Sequence, residues 1–296
     1  MPGCPAEPPT LPGVEGIKAR NPSLCMDSFK AMLSHAFPSI PARRLPSGFQ
    51  RIGDVAVVNM PGLAKHEKAI GRYLLRALKA RAVYKKGPVR GEFRLPRMVR
   101  LAGRAGVAVH RENGCLFTID VSKLMLSKGN LFERGRIIPG EGETIVDMFA
   151  GIGYFSLPLA RKSPSFQLIA IEKNPVAVRY LRKNIRLNGL GNVQVIQGDC
   201  RRVAVAEKAD RVLMGYLPGT EAFLPAAFGF LKDRGILHYH TLYRKGDLWE
   251  RPLAVLTAAG LREGFALQKI LYKRVVKSVS PRRYHVVVDA LFRRTR

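Results

Sequence analysis

Acidic residues are scarce in this 296-residue chain: 22 Asp and Glu stand against 50 Lys and Arg, a net charge of +28 at pH 7. That excess is beyond what solubility requires and implies a polyanionic partner, without saying which one. Cysteine is scarce too, and Cys4, Cys25, Cys115 and Cys200 form none of the close pairs that a zinc ribbon or redox motif needs. No metal site is expected, and free thiols in a reducing cytosol fit the pattern. No apolar run reaches the length that crosses a bilayer, and the first residues lack the basic-then-apolar plan of a signal peptide. A soluble, cytoplasmic protein is therefore expected. At 47% hydrophobic residues, the chain holds enough apolar material for one full core and a second smaller one.

Residues 1–44 carry a dense scatter of Pro, Gly and Ser with little periodicity, which predicts an irregular arm. Residues 45–135 read as a small α+β module: an apolar strand at 52–59, helix-spaced apolar residues over 63–78, and strand-like runs at 106–110 and 116–121. In 136–296 short β-rich runs alternate with helical windows, as in a parallel sheet with crossover helices. The runs are 144–148, 168–172, 193–197, 211–215 and 235–240, with helices over 154–161 and 175–188; two more runs, 266–276 and 284–292, follow. The fold class is thus α/β, Rossmann-like, with a smaller N-terminal module.

The first run of the sheet leads into Asp147-Met-Phe-Ala-Gly-Ile-Gly-Tyr154. A glycine turn after a buried strand lets backbone N–H groups and a helix N-terminus approach a ligand, because glycine has no Cβ in the way. Gly151 and Gly153 alone would fit a dinucleotide site or a plain tight βα connection. The next strands narrow the choice. One ends in Glu172, placed to accept ribose hydroxyls, and the third in Gly198-Asp199, placed to meet an adenine amine. In an open α/β sheet these carboxyl ends are where ligands bind. A nicotinamide dinucleotide would need a fuller glycine pattern and a pyrophosphate cradle. S-adenosyl-L-methionine has no phosphate, and acidic residues suit its cationic groups.

Asp147-Met-Phe-Ala-Gly-Ile-Gly-Tyr-Phe155 with Glu172-Lys-Asn-Pro175 resembles the tRNA methyltransferase and wybutosine-synthesis enzymes that act beside the anticodon. Further motifs in the same order extend the resemblance over residues 50–292. They are Ile52-Gly-Asp54, Gly91-Glu-Phe-Arg94, Leu101-Ala-Gly103, Glu112-Asn-Gly114, Ser127-Lys-Gly-Asn130 with Glu133-Arg134, and Pro281-Arg-Arg-Tyr-His285. Two branches share this frame. One methylates N1 of guanosine; the other transfers the 3-amino-3-carboxypropyl group of the cofactor to 4-demethylwyosine in tRNA specific for phenylalanine. The methylating branch usually has Pro after the second loop glycine and Asn-Leu-Pro after the fourth strand, where this chain has Tyr154 and Met214-Gly-Tyr-Leu-Pro218. Ser127-Lys-Gly-Asn130 also looks like the aminocarboxypropyl branch. Leu126, where an aromatic often stands, and Leu217-Pro218, which partly echoes the methylating branch, are departures.

The resemblance implies that Ser127 and Arg134 hold the cofactor from the edge of the N-terminal module, Arg134 by pairing its planar fork with the methionine carboxylate. It also implies that Glu172 grips the ribose and that Asp199 with the Cys200 backbone holds the adenine end. Asp147 is a candidate for bonding the glycine loop or the methionine amine, and Tyr216 for stacking on the target base or simply packing in the wall. His238 and His240 share one strand face without a third ligand, which reads as a satisfied pair rather than a site. RNA is expected to meet Lys85, Lys86, Arg90, Arg94, Arg97 and Arg100, and the later cluster Lys273, Arg274, Lys277, Arg282 and Arg283. A guanosine N1-methyltransferase and a catalytically silent RNA-binding module are the competing readings.

Overall fold

The computed structural model describes residues 26–60, 62–91, 93, 95–126 and 130–295. The chain divides into two compact units at Gly48/Phe49. The described part of the first contains α1 (Met26–Ala36) and a single 3-10 turn at Ala42–Arg44. This helix departs from the irregular arm expected over 1–44. Phe29 and Leu33, one helical turn apart, are buried, an amphipathic signal that the Pro- and Gly-rich residues before it dilute.

The second unit opens with a four-stranded sheet in the order β1 (Phe49–Ile52), β2 (Val55–Val58), β3 (Ala82–Arg90) and β4 (Leu95–Gly103). α2 (Glu67–Ala77) crosses between the parallel strands β2 and β3. The single strand expected at 52–59 is split, because Gly53 turns the chain with φ +55°. A Cβ there would stand 2.2 Å from the Val109 carbonyl oxygen. β5 (Ala108–Glu112) and β6 (Cys115–Ile119) form a hairpin whose turn residues, Asn113 and Gly114, both have positive φ. α3 (Leu131–Arg136) follows.

The seven-stranded sheet contains β7 (Thr144–Asp147), β8 (Gln167–Glu172), β9 (Val193–Gln197), β10 (Ala209–Met214), β11 (Leu231–Arg244), β12 (Phe265–Ser280) and β13 (Arg283–Arg294), in the order β12-β13-β11-β10-β7-β8-β9. β11, β10, β7, β8 and β9 run parallel; β13 and β12 are antiparallel additions. Four helices cover this sheet: α4 (Ser156–Ala160), α5 (Pro175–Leu187), α6 (Leu224–Phe230) and α7 (Glu250–Arg262). Strand β7 is buried throughout, as a central parallel strand requires. Its alternate residues feed two cores. Ile145 joins Leu157 and Leu181 on one face, and Val146 joins Phe228 and Leu256 on the other. The first core continues through Phe117 and Ile119 to Ile52 and Tyr84 of the N-terminal sheet.

α5 starts where the sequence predicts, because Asn174 Oδ1 caps Val176 N at 2.9 Å and Pro175 occupies the first turn. Asn184 on its buried face and the half-buried Asn188 at its C-cap bind the hairpin. Asn184 Oδ1 accepts from Thr118 N (2.8 Å), and Asn188 Oδ1 accepts from Leu116 N (2.8 Å) while its Nδ2 donates to Leu116 O (2.7 Å). The free edge of β6 is thereby paired with side-chain amides, as an unpaired buried edge demands.

His238 and His240 each meet a partner on β13. His238 Nδ1 lies 2.9 Å from Asp289, and His240 Nδ1 lies 2.9 Å from His285 Nε2. Burial pulls the pKa of His240 well below the ordinary value and that of His285 down to about 4. Both rings are neutral in the fold and charge only on unfolding. Between about pH 4 and 6.5 the unfolded chain binds more protons at these sites, so each histidine makes stability rise with pH by about 1.4 kcal/mol per unit. Urea midpoints measured from pH 4.5 to 6.5 should show this gradient. His285→Gln should remove about half of the pair's share; an unchanged gradient would place its origin elsewhere.

Candidate active site

The strands on either side of β7 are reached by connections of opposite direction, towards β8 and β9 on one side and β10 and β11 on the other. Ligands bind at such a switch point, outside the carboxyl ends of the strands. A cavity of about 380 Å³ lies there, bounded by the glycine loop and the ends of β8, β9 and β10, and by the segment leading into α3.

The loop geometry requires its glycines. Gly151 and Gly153 have φ of +58° and +103°, and a Cβ on Gly153 would fall 1.8 Å from Leu157 Cδ1. Three of the loop N–H groups are spent within the protein: Ala150 N on Ile171 O (3.0 Å), Gly151 N on Glu172 Oε2 (2.8 Å) and Gly153 N on Ala150 O (2.8 Å).

Glu172 lines the cavity, with Oε1 accepting from Asn174 N at 2.7 Å and Oε2 from Gly151 N. The Lys173 backbone N–H also bears on this carboxylate, and its remaining lone pairs are left for ribose hydroxyls. Burial raises the pKa of Glu172 against the opposing pull of these N–H groups. Asp199 and Cys200 also line the cavity. Asp199 is clamped by Arg201 (Nη2 at 2.6 Å, N and Nε at 3.0 Å) and Lys173 (3.1 Å), and the Arg201 bonds, ahead of the other contributions, hold its pKa well down. Burial pushes the Cys200 thiol up to about 12, so it stays protonated and takes no nucleophilic part.

Arg134 reaches the cavity from α3, although only 3% exposed. Its Nη1 donates to Glu112 Oε1 at 2.5 Å, and its Cζ stands 4.8 Å from the centre of the Tyr154 ring. The Tyr154 hydroxyl donates to the Met125 carbonyl, tying the glycine loop to the segment before α3. Asn130, at the start of α3, lines the cavity with a buried Oδ1 that has no hydrogen-bond partner among the described residues. Such an acceptor suits an ammonium group, just as Arg134 suits a carboxylate. Together these donors and acceptors match an amino-acid group joined to an adenosine.

Asp147 does not line the cavity. It is buried behind the loop, accepting from Ser156 Oγ (2.7 Å) and Phe149 N (3.2 Å), with its pKa raised by burial to about 6. The geometry therefore has it bonding the loop rather than an amine in the cavity. Tyr216 does line it, as part of an aromatic wall that spacing alone misses. Phe149 stacks on Tyr216 at 5.0 Å and meets Phe223 edge-on at 4.9 Å, and Thr220 Oγ1 donates to the Tyr216 carbonyl to close the turn beneath.

Ser127 and Arg94 lie outside the described residues, and Arg90 ends β3. Lys86, Arg97 and Arg100 are exposed on β3 and β4, whereas Lys85 is half-buried and paired with Glu67 at 2.6 Å. Lys273 and Arg274 are exposed on β12, set over Trp249 (5.3 Å) and Phe132 (4.3 Å) respectively; Lys277 is half-buried, and Arg282 and Arg283 lie at the hairpin end. Among the described residues no group of three His, Cys, Asp or Glu side chains is arranged for a metal ion, and no helix is long and apolar enough to cross a membrane.

Two family models match the chain: the TRM5/TYW2 methyltransferase domain over residues 108–267 and the TYW2 N-terminal domain over residues 29–106. The tRNA(Phe) (4-demethylwyosine(37)-C(7)) aminocarboxypropyltransferase of Methanocaldococcus jannaschii is 44% identical over 250 residues, spanning 83% of this chain and 98% of that relative. The tRNA (guanine(37)-N(1))-methyltransferase Trm5b of Pyrococcus abyssi is 36% identical over 253 residues, 83% of this chain and 75% of its own length. The crystal structure of M. jannaschii TYW2 in complex with AdoMet superposes with a TM-score of 0.69 at 39% identity, covering 83% of this chain and all of that one. The chain belongs to the TRM5/TYW2 family, and its catalytic fold is a Rossmann-like S-adenosylmethionine-dependent transferase domain joined to a smaller N-terminal module.

Proposed function

We propose that this protein transfers the 3-amino-3-carboxypropyl group of S-adenosyl-L-methionine to carbon 7 of 4-demethylwyosine, beside the anticodon of tRNA(Phe), releasing 5′-methylthioadenosine. The observation that carries this reading is the end of β10. Methylation at N1 of guanosine needs a polar side chain to manage the N1 proton, and here Met214 and Gly215 occupy that place. The Phe155 ring closes on Gly215, where a Cβ would meet it at 3.0 Å. The name of the 44% identical M. jannaschii relative supports the same reaction.

When bound, the cofactor supplies a sulfonium whose γ-methylene bonds to the ring carbon, sulfur leaving with the bonding pair as a thioether and the ring then losing a proton. Everything else is positioning. Glu172 accepts the ribose hydroxyls, and the Asp199–Cys200 segment borders the adenine end. Arg134 holds the methionine carboxylate and Asn130 Oδ1 accepts from the ammonium, which fixes the methionine arm against α3 and turns the methyl away from the target. Ser127 belongs to the same end of the site. The Phe149–Tyr216–Phe223 wall offers a stacking face for the base. Residues 45–135 frame the methionine end, residues 136–296 form the transferase body, and the exposed cations of β3, β4 and β12 meet tRNA phosphates. The reaction takes place in the cytoplasm, in keeping with the free buried thiols Cys115 and Cys200.

Chromatography of spent cofactor after incubation with precursor tRNA tests the reading. 5′-Methylthioadenosine is expected, and label from the cofactor's carboxyl carbon should enter the RNA. S-adenosylhomocysteine would instead establish the methyltransferase, and tight tRNA binding with neither product would establish a silent RNA-binding module.

A further inference from the structure

A second concavity, of about 370 Å³, runs beside α5 and is lined by Lys123, Val176, Arg179, Tyr180, Lys183 and Arg186. Four of these six residues are cationic and none is acidic. Arg179, Lys183 and Arg186 follow one another at i, i+4 and i+7, so they stand in a row on one face of the helix. The row is about 10 Å long at 1.5 Å per residue, enough to meet more than one phosphate of a strand. Lys123 closes it from another element, and the half-buried Tyr180 and Val176 form its floor.

The groove is a concentrated patch of uncompensated positive charge. Several cations of the second unit are matched to carboxylates, among them Arg81 to Asp54 (2.6 Å), Arg211 to Glu143 (2.6 Å) and Lys232 to Asp210 (2.7 Å). Among the described residues no ion pair involves Arg179, Lys183 or Arg186, and Lys123 reaches Asp120 only at 3.6 Å. The groove also adjoins the cofactor cavity. Lys123 precedes Leu124, and Val176 precedes Ala177, and both followers line the cavity.

We propose that this groove is a phosphodiester-binding site, which takes the backbone of the tRNA at a point away from the nucleotide in the cavity. The inference rests on the reading of tRNA as substrate. The α5 row holds the RNA by charge and carries no base specificity, since phosphate contacts position a nucleic acid without reading its sequence.

The test is tRNA affinity as a function of salt for wild type, for Arg179→Gln/Lys183→Gln/Arg186→Gln, and for a control with as many charges removed elsewhere, Lys245→Gln/Arg251→Gln/Arg262→Gln. The groove variant should bind about tenfold or more weakly near 0.1 M salt, with the log–log salt slope reduced by about two to three. Its S-adenosylmethionine affinity should match wild type. Wild-type affinity and slope in the groove variant would overturn the proposal, as would an equal loss in the control. If cofactor affinity falls too, Arg179→Lys/Arg186→Lys decides: retained RNA affinity supports a charge contact and lost affinity overturns it. Wild type that releases methylthioadenosine while the groove variant binds normally would remove the groove alone. Wild type that shows groove-dependent tRNA binding but no methylthioadenosine would remove the proposed reaction alone.

Discussion

Glu172→Ala should weaken S-adenosylmethionine binding by a factor of about 10² to 10⁴ while leaving tRNA affinity within about twofold. The proposed role gives Glu172 two charge-assisted hydrogen bonds to the ribose, each contributing roughly 1.5 to 3 kcal/mol, with a tenfold change per 1.4 kcal/mol. The substitution has a second effect: it removes the acceptor of Gly151 N and Asn174 N, so the glycine loop and the cap of α5 lose their common anchor. Glu172→Gln cannot restore both, because its amide nitrogen would face one of the two N–H donors. Calorimetry of cofactor binding decides, with tRNA affinity as the control for folding. Burial raises the Glu172 pKa, so wild-type cofactor affinity should also decline as the pH falls towards it and the carboxylate takes a proton. Undiminished affinity in Glu172→Ala would end its assignment to the ribose.

The carboxylate was legible in the sequence because a parallel strand buried on both faces reads as an unbroken apolar run. The residue that ends such a run marks the ligand edge of the sheet. Asn174-Pro175 was equally legible as a helix start. What escaped was contact through space. Glu112 and Arg134 lie 22 positions apart on a hairpin and a short helix, and no spacing rule joins them. Phe149 stacks on Tyr216 and Phe223 meets it edge-on only after two separate loops are folded. The expected run at 52–59 hid the Gly53 turn, which is set by the approach of Val109 rather than by local preference. β12 and β13 extend beyond the predicted 266–276 and 284–292, to Phe265–Ser280 and Arg283–Arg294, because the residues added to β13 are arginines and most of those added to β12, Lys277-Ser278-Val279-Ser280, are polar. The surplus charge that implied a polyanion in the sequence hid the strands that carry part of it.

Glu112→Ala should destabilise the protein by about 3 to 5 kcal/mol, the range for removing one partner of a buried ion pair, and should lower transfer activity more steeply than cofactor affinity. Glu112 and Arg134 are 8% and 3% exposed, so water cannot replace the lost carboxylate. Burial would raise the Glu112 pKa, yet His110 at 3.4 Å and Arg134 outweigh it and hold the pKa below the ordinary value. A depressed folded pKa gives stability that is present above the unfolded value near 4.5 and lost as the pH falls through the folded one, so wild type and variant should converge in acid. Glu112→Gln keeps an acceptor for the guanidinium and should cost less. The double variant Glu112→Leu/Arg134→Met removes both charges and should regain most of the stability in urea titrations, since a well-packed apolar pair often equals a buried ion pair. It should not regain transfer, because the group proposed to hold the methionine carboxylate, Arg134, would be gone. Recovery of activity along with stability would show that Arg134 serves only the fold, and the cavity would then need another group to turn the sulfonium's methyl away from the RNA.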